Sequence, residues 1–230
     1  MRALVESICR GKDDCVRELF EAFGSLREIE QRLVSRSVAI AAGSSLPLIT
    51  SLDDVALQKI VMTMVETLRE LGYDIDRAVI ERVITGALEP NDNESSFVSL
   101  VLRRFLYKSL KSSNHPVFQT PWEGSICPIC GLVPIAAVRG EGQSLVYRCL
   151  CGFAWTSSSM TCPQCRSSDV SVGRAGDLGL YRCRNCGHVM VVATEEQVGG
   201  EEGDFFPLAA ALLLSSAQGS GEGRSAGGGI

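Results

Sequence analysis

Eight of the ten cysteines fall between Cys127 and Cys186, in four close pairs. Cys127-Pro-Ile-Cys130-Gly131 opens the stretch, and Cys149-Leu-Cys151-Gly152 follows. Cys162-Pro-Gln-Cys165 and Cys183-Arg-Asn-Cys186-Gly187 close it. The intervals between partner pairs are 18 and 17 residues. Two close pairs about 15–20 residues apart are the spacing of a four-cysteine metal site. A tight turn aims two thiolates at one point, and a hairpin brings the second turn opposite. The resulting tetrahedral all-sulfur cage suits zinc or iron. The expected ligand sets are Cys127, Cys130, Cys149 and Cys151, then Cys162, Cys165, Cys183 and Cys186.

The halves repeat each other. Cys-Pro-x-Cys recurs at an offset of 35, and Tyr147-Arg148-Cys149 recurs as Tyr181-Arg182-Cys183 at an offset of 34. The second knuckle of the first half is Cys-x-Cys rather than Cys-x-x-Cys. Alternate residues of an extended segment project to one side, so both thiolates can still ligate, with tighter geometry. Gly131, Gly152 and Gly187 each follow a knuckle, where the backbone commonly needs positive φ.

Four disulfides could also use eight cysteines, as in secreted miniproteins. The ligand spacing, the long cysteine-poor region before it and a charged N-terminal stretch without a signal peptide favour metal. Cys9 and Cys15 stand apart and read as buried or half-buried free thiols on a helix.

The chain carries a net charge of −5 over 230 residues. Residues 123–190 hold six basic and four acidic side chains, and residues 191–230 hold one and six. The ribbon part is barely basic and aromatics are scarce, which disfavours nucleic acid as a partner. No apolar run reaches the ~18–20 residues of a membrane span.

Ahead of the cysteines, apolar residues recur at helical spacing. Residues 1–35 read as helix, broken or bent at Gly11 and Gly24. Asp53 and Asp54 start a helix that Gly72 ends, and Asp74 caps another running to Leu88 before Pro90. Asn93 or Ser95 caps a last helix ending near Lys111. Ser37–Ala42 is short and apolar, Gly43–Pro47 reads as a loop, and Asn91–Asn93 as a turn. Met62 and Met64 read as core filling. Arg103, Arg104, Lys108 and Lys111 read as a solvated helix end. His115 reads as neither ligand nor base, and Trp122 is expected to pack where ribbon meets helices. His188 is placed beside the metal or on the surface. Short strands are expected over 132–138, 144–149, 153–155, 170–172, 178–183 and 189–193.

The expected fold is α+β, an all-α N-terminal domain followed by two tandem four-cysteine ribbons of short β-hairpins. Its parts are a helical domain 1–113, a linker 114–125, ribbons at 126–158 and 159–193, and a tail 194–230. The tail is acidic, then Gly/Ser-rich and largely disordered, with Leu208–Leu214 able to dock on the helices or on a partner. Two complete four-cysteine sets leave no open metal position, and no His-Glu-x-x-His motif, Gly-rich phosphate loop or nucleophile elbow is present. The expectation is a non-enzyme. A zinc-ribbon nucleic-acid binder, or an electron carrier if the metal is iron, are the rival classes.

One run of motifs resembles a known family. Cys127-Pro-x-Cys130-Gly131-x-x-Pro134 is followed by a cysteine pair with Trp155 four residues beyond, then by Cys162-x-x-Cys165 and Cys183-x-x-Cys186. With Trp122 before the first knuckle and helices before that, this is similar to the formate dehydrogenase accessory proteins. The resemblance implies two rubredoxin-like metal modules after a helical domain and a cytoplasmic location. It also implies binding to the catalytic subunit of a formate dehydrogenase or a related oxidoreductase during its maturation. The sequence departs from the family pattern at Cys149-Leu-Cys151, Thr156, Ser159 and Val189, as a divergent member would.

Overall fold

The computed structural model describes residues 2–36, 46–84, 93–142, 144–158, 160–199 and 201–219. The expectations for residues 37–45, for the end of the helix at Leu88 and Pro90, and for the last residues of the tail lie outside these. The architecture is α+β. The chain divides into two compact units. One comprises residues 20–133 and 149–155. The other comprises residues 1–19, 134–148 and 156–230. The division passes through the first ribbon. Its two knuckles belong to the helical unit and its hairpin strands to the sheet unit.

The helical unit holds most of α2 (Asp13–Ser35), α3 (Asp54–Glu70), α4 (Arg77–Ile84) and α5 (Asn93–Ser112). Asp53 caps α3 by accepting from the Ala56 N–H at 2.7 Å, and Gly72 ends it at φ +85°. The cap of α4 is Asp76, which accepts from the Ala78 N–H at 2.8 Å, rather than Asp74. The core is the periodic apolar set, including Phe23, Ile29, Leu33, Ile60, Met64, Leu68, Phe105 and Leu106. Met64 belongs to that core, while Met62 is exposed.

Gly11, at φ +74°, separates α1 (Arg2–Ile8) from α2. Gly24 does not break α2. It sits exposed on a continuous helix, with open space around it. Twenty-three helical residues with a buried apolar stripe outweigh one glycine, which costs about 1 kcal/mol against alanine.

The sheet unit is built on β1 (Ala136–Arg139), β2 (Leu145–Arg148), β4 (Val170–Ala175), β5 (Leu178–Cys183) and β6 (Val189–Ala193). β3 (Ala154–Ser157) contributes Thr156 and Ser157 to this unit. The strand order is β3-β2-β1-β6-β5-β4. The two hairpins are not separate leaves. β1 pairs in parallel with β6, with Ala137 opposite Val192, and this joins both ribbons into one sheet. Ala136, Ala137 and Val138 of β1 and Met190–Ala193 of β6 are all buried. Small and β-branched apolar residues without alternation fit strands covered on both faces.

Of the segment after Ala193, expected as a largely disordered tail, residues 194–199 and 201–219 are described and are mostly helical. Thr194 closes a capping box on α6 (Glu195–Val198), and a 3-10 turn Glu201–Phe205 leads into α7 (Phe206–Gly219). α7 packs on α1, β1 and β6 and buries Phe205, Phe206, Ala209 and Ala210. Its alanines and leucines favour helix, and Phe206, Ala209 and Ala210 form its buried face, while Leu208 and Leu212–Leu214 stay half-buried.

Candidate metal centres

Each knuckle follows one hydrogen-bond rule. Cys127, Cys162 and Cys183 each donate their N–H to the carbonyl five residues on. The residue four on, Gly131, Arg166 or Gly187, donates back to that cysteine's own carbonyl. The Cys149–Cys151 knuckle keeps both bonds with one residue removed. Cys149 donates to Phe153 and Gly152 donates to Cys149, each at 2.9 Å. The shortened loop is thus the same turn, tightened. All four turns need a left-handed residue after the second cysteine. Gly131, Gly152 and Gly187 take it at φ +75°, +104° and +76°, and Arg166 takes it at +61°.

These turns bring both expected ligand sets together. In the helical unit, Cys127 Sγ lies 3.6 Å from Cys151 Sγ, and Cys130 Sγ lies 3.3 Å from Cys149 Sγ. In the sheet unit, the Cys162–Cys186 and Cys165–Cys183 separations are 3.6 and 3.5 Å. All sulfurs of each set lie within 4.8 Å of one another, and none of the eight is in a disulfide. A tetrahedral metal–thiolate cage with ~2.3 Å bonds has edges of about 3.8 Å. Both sets fit such a cage and could hold a metal ion, the shortened knuckle included.

Proton sharing points the same way. In the first cluster, hydrogen bonds from Cys127, Cys149 and Cys151 pull the Cys130 thiol well below its usual range. Cys149 is pushed well above it by its bonds to Cys127 and Cys130, and Cys151 chiefly by burial. In the second cluster, the Asn185 side chain and the Ser167 backbone hold Cys165 down at about 6. For Cys186 the His188 backbone lowers the value, but burial and the neighbouring thiols prevail and push it up to about 12. Crowded thiols cannot all ionise by themselves, whereas a dication stabilises all four thiolates.

The clusters differ in what surrounds them. All four cysteines of the first are buried. Pro47 and Leu48 lie over its first knuckle, where Leu48 and Ile49 donate N–H bonds to Pro128 and Ile129, each at 2.9 Å. α5 reaches both knuckles. The Arg103 guanidinium donates to the Cys130 carbonyl at 2.7 Å, and Arg104 donates to the Leu150 carbonyl at 3.2 Å. Arg104 is 1% exposed and forms a buried ion pair with Glu30 of α2. The Tyr107 ring covers Gly152, and an aromatic series continues through Phe118, Phe153 and Trp155. Trp155 donates to the Gly124 carbonyl at 2.9 Å, and half-buried Trp122 lies over Gly124 and donates to Ile126 at 2.8 Å.

Arg103 and Arg104 are therefore not the solvated helix end that the sequence suggests. The signal that could have exposed them is Glu30, a carboxylate on the apolar stripe of α2, which needs a buried cation. The second cluster is more open. Cys162 and Cys183 are buried, Cys165 is half-buried and Cys186 is exposed. His188 turns its ring to the Pro134 carbonyl at 3.0 Å, and His115 caps a 3-10 turn through Val117. Cys9 and Cys15 are bonded to each other as a disulfide between α1 and α2, not free thiols. The tight Arg10–Gly11 turn, with both residues at positive φ, brings them together.

A helical region followed by a mixed sheet region, with two four-thiol clusters, defines a class of paired-ribbon protein. No protein-family model and no curated protein sequence matches the chain. The crystal structure of the FdhE protein from Pseudomonas aeruginosa is similar at 16% identity, with a TM-score of 0.54. The match covers 96% of this chain and 90% of that one. At this identity the likeness establishes the fold, shared nearly end to end.

Proposed function

We propose that the protein is an accessory factor that binds an immature redox enzyme, most plainly the catalytic subunit of a formate dehydrogenase. The observation that carries this reading is the pair of closed four-thiol clusters on a fold shared with FdhE over almost the whole chain. The motifs around Cys127, Trp155 and Cys162 support the same reading. Cys127, Cys130, Cys149 and Cys151 hold one metal ion, and Cys162, Cys165, Cys183 and Cys186 hold a second. Each ion is zinc or iron, and each staples two turns into a rigid surface. With four protein sulfurs on each metal, no position is left for a substrate, so the protein is not itself an enzyme. As the motif resemblance implies, it acts in the cytoplasm, where the eight clustered thiols stay reduced for metal, the Cys9–Cys15 disulfide being the one feature that is rare there.

The test is capture of the cofactor-free catalytic subunit by the tagged chain from cells making both. Retention by the wild type and loss with Cys162→Ser/Cys165→Ser is expected. Full maturation of the enzyme with a folded Cys162→Ser/Cys165→Ser protein would sink the reading.

Exposure of Cys186 favours one second reading, an iron site that passes electrons through that sulfur. A thiolate-to-iron absorption that bleaches reversibly on reduction would select it.

A further inference from the structure

Among the described residues the sheet ends on β3 and β4, and the internal repeat shows what the β4 edge lacks. The registers of the two hairpins correspond residue by residue. In the first, Ala136 faces Arg148, Ala137 faces Tyr147 and Arg139 faces Leu145. In the second, Ser171 faces Arg182, Val172 faces Tyr181 and Arg174 faces Gly179. β4 is therefore the counterpart of β1, and Arg182 is the counterpart of Arg148.

The counterparts differ in what covers them. The edge of β1 turned away from β2 accepts β6 in parallel, aligning Ala136, Ala137 and Val138 with Val191, Val192 and Ala193. Two residues past Ala193, Glu195 reaches back to Arg148 at 3.8 Å. The equivalent edge of β4 ends the sheet. Ala137 is 0% exposed, while its counterpart Val172 is 59% exposed. Arg182 is exposed, and its guanidinium has no ion pair among the described residues. Arg174 and Arg166 are exposed and unpaired in the same sense.

We propose that the free edge of β4 is a docking edge for one segment of a partner polypeptide. That segment is a short apolar, β-branched strand lying parallel to β4, with a carboxylate two residues after its last paired residue. The strand reproduces on β4 the backbone ladder that β6 makes on β1, and its carboxylate meets Arg182 as Glu195 meets Arg148. Strand addition to an exposed edge draws affinity from main-chain hydrogen bonds and specificity from flanking side chains. A second copy of this chain is a poorer occupant. The other terminal strand, β3, is four residues without charge, Ala-Trp-Thr-Ser, and offers Arg182 no carboxylate. The inference deepens the accessory reading by giving the client's docking segment, and the two fail separately.

The probe is a labelled synthetic peptide copying β6 and its acidic flank, acetyl-Val-Met-Val-Val-Ala-Thr-Glu-Glu-amide, titrated into the full chain by fluorescence anisotropy. Three results are expected. The wild type binds it. Arg182→Glu weakens binding by about tenfold and restores it for a peptide with both glutamates replaced by lysine. A peptide N-methylated at alternate amides, with its charge intact, does not bind. Arg182 lies on the surface, and unchanged metal content and circular dichroism show that the variant is folded.

Equal binding of the N-methylated peptide, or no binding of the first peptide, overturns the proposal. So does concentration-dependent growth in sedimentation that the peptide blocks, which assigns the edge to a second copy. Retention on DNA lost in Arg182→Glu and indifferent to the peptide also overturns it. Client capture that survives Arg182→Glu removes the docking edge and leaves the accessory function standing. Peptide binding without any client capture does the reverse.

Discussion

The Arg104 guanidinium donates to the carbonyl of Leu150, the one residue between Cys149 and Cys151, at 3.2 Å. Its neighbour Arg103 holds Cys130 from the same helix, so α5 grips both knuckles of the first cluster. The shortest of the four cysteine turns is thus anchored to the helical core, as is its partner turn. Glu30 holds the other side of Arg104, and Lys108 lies 3.9 Å from that carboxylate.

Arg104→Leu should destabilise the helical unit by roughly 3–5 kcal/mol, because it leaves the Glu30 carboxylate buried without its partner. Glu30→Leu combined with Arg104→Leu should recover most of that loss. Urea unfolding of the two single variants and the double variant closes the cycle. Additive losses would show that the pair is not coupled.

Metal should leave in two steps. Cys186 is exposed and Cys165 half-buried, while the first cluster is wholly buried. A chromogenic chelator should therefore remove one equivalent quickly and the second only as the helical unit opens. Cys186→Ser should abolish the fast step alone. Because thiolates and not thiols bind metal, protons compete for the ligands, and lowering the pH should speed release at both sites. A single phase with both equivalents would contradict the asymmetry.

Gly152 and Arg166 occupy the same left-handed position in two knuckles, yet substitution should act oppositely. A Cβ on Gly152 would lie 2.8 Å from the Tyr107 ring, at φ +104°. Gly152→Ala should cost about 2–4 kcal/mol from strain and overpacking. Arg166, at φ +61°, is an exposed side chain in a strained backbone. Arg166→Gly should stabilise the second ribbon by about 0.5–1 kcal/mol. Thermal unfolding of the metal-loaded chains reads both.

Gly24→Ala should raise the stability of the helical unit by about 0.5–1 kcal/mol, since an exposed helical glycine gains from a methyl group with nothing to strike. A shift of the denaturation midpoint at unchanged slope is the expected result.

What the sequence by itself determined lies close along the chain. The four knuckles, the glycines that follow three of them, the six short strands and the grouping of the eight cysteines into two clusters were all legible. Spacing within a turn and across a hairpin is set by local geometry. The amphipathic helices were legible for the same reason, although Gly24 read as a break that the long buried stripe overrides.

Only the tertiary structure decided three things. Arg103 and Arg104 turn inward to carbonyls 27 and 46 residues away. The helix after residue 205 packs its Phe206, Ala209 and Ala210 face into the core. β1 and β6, from opposite ends of the cysteine region, pair in parallel and fuse the ribbons. Hydrophobic pattern alone does not say which distant strand covers which edge. Backbone groups along a strand are alike, and the choice is made by what else each edge must bury. The Cys127–Cys186 framework fixes where the turns lie. The sheet decides which edge stays open.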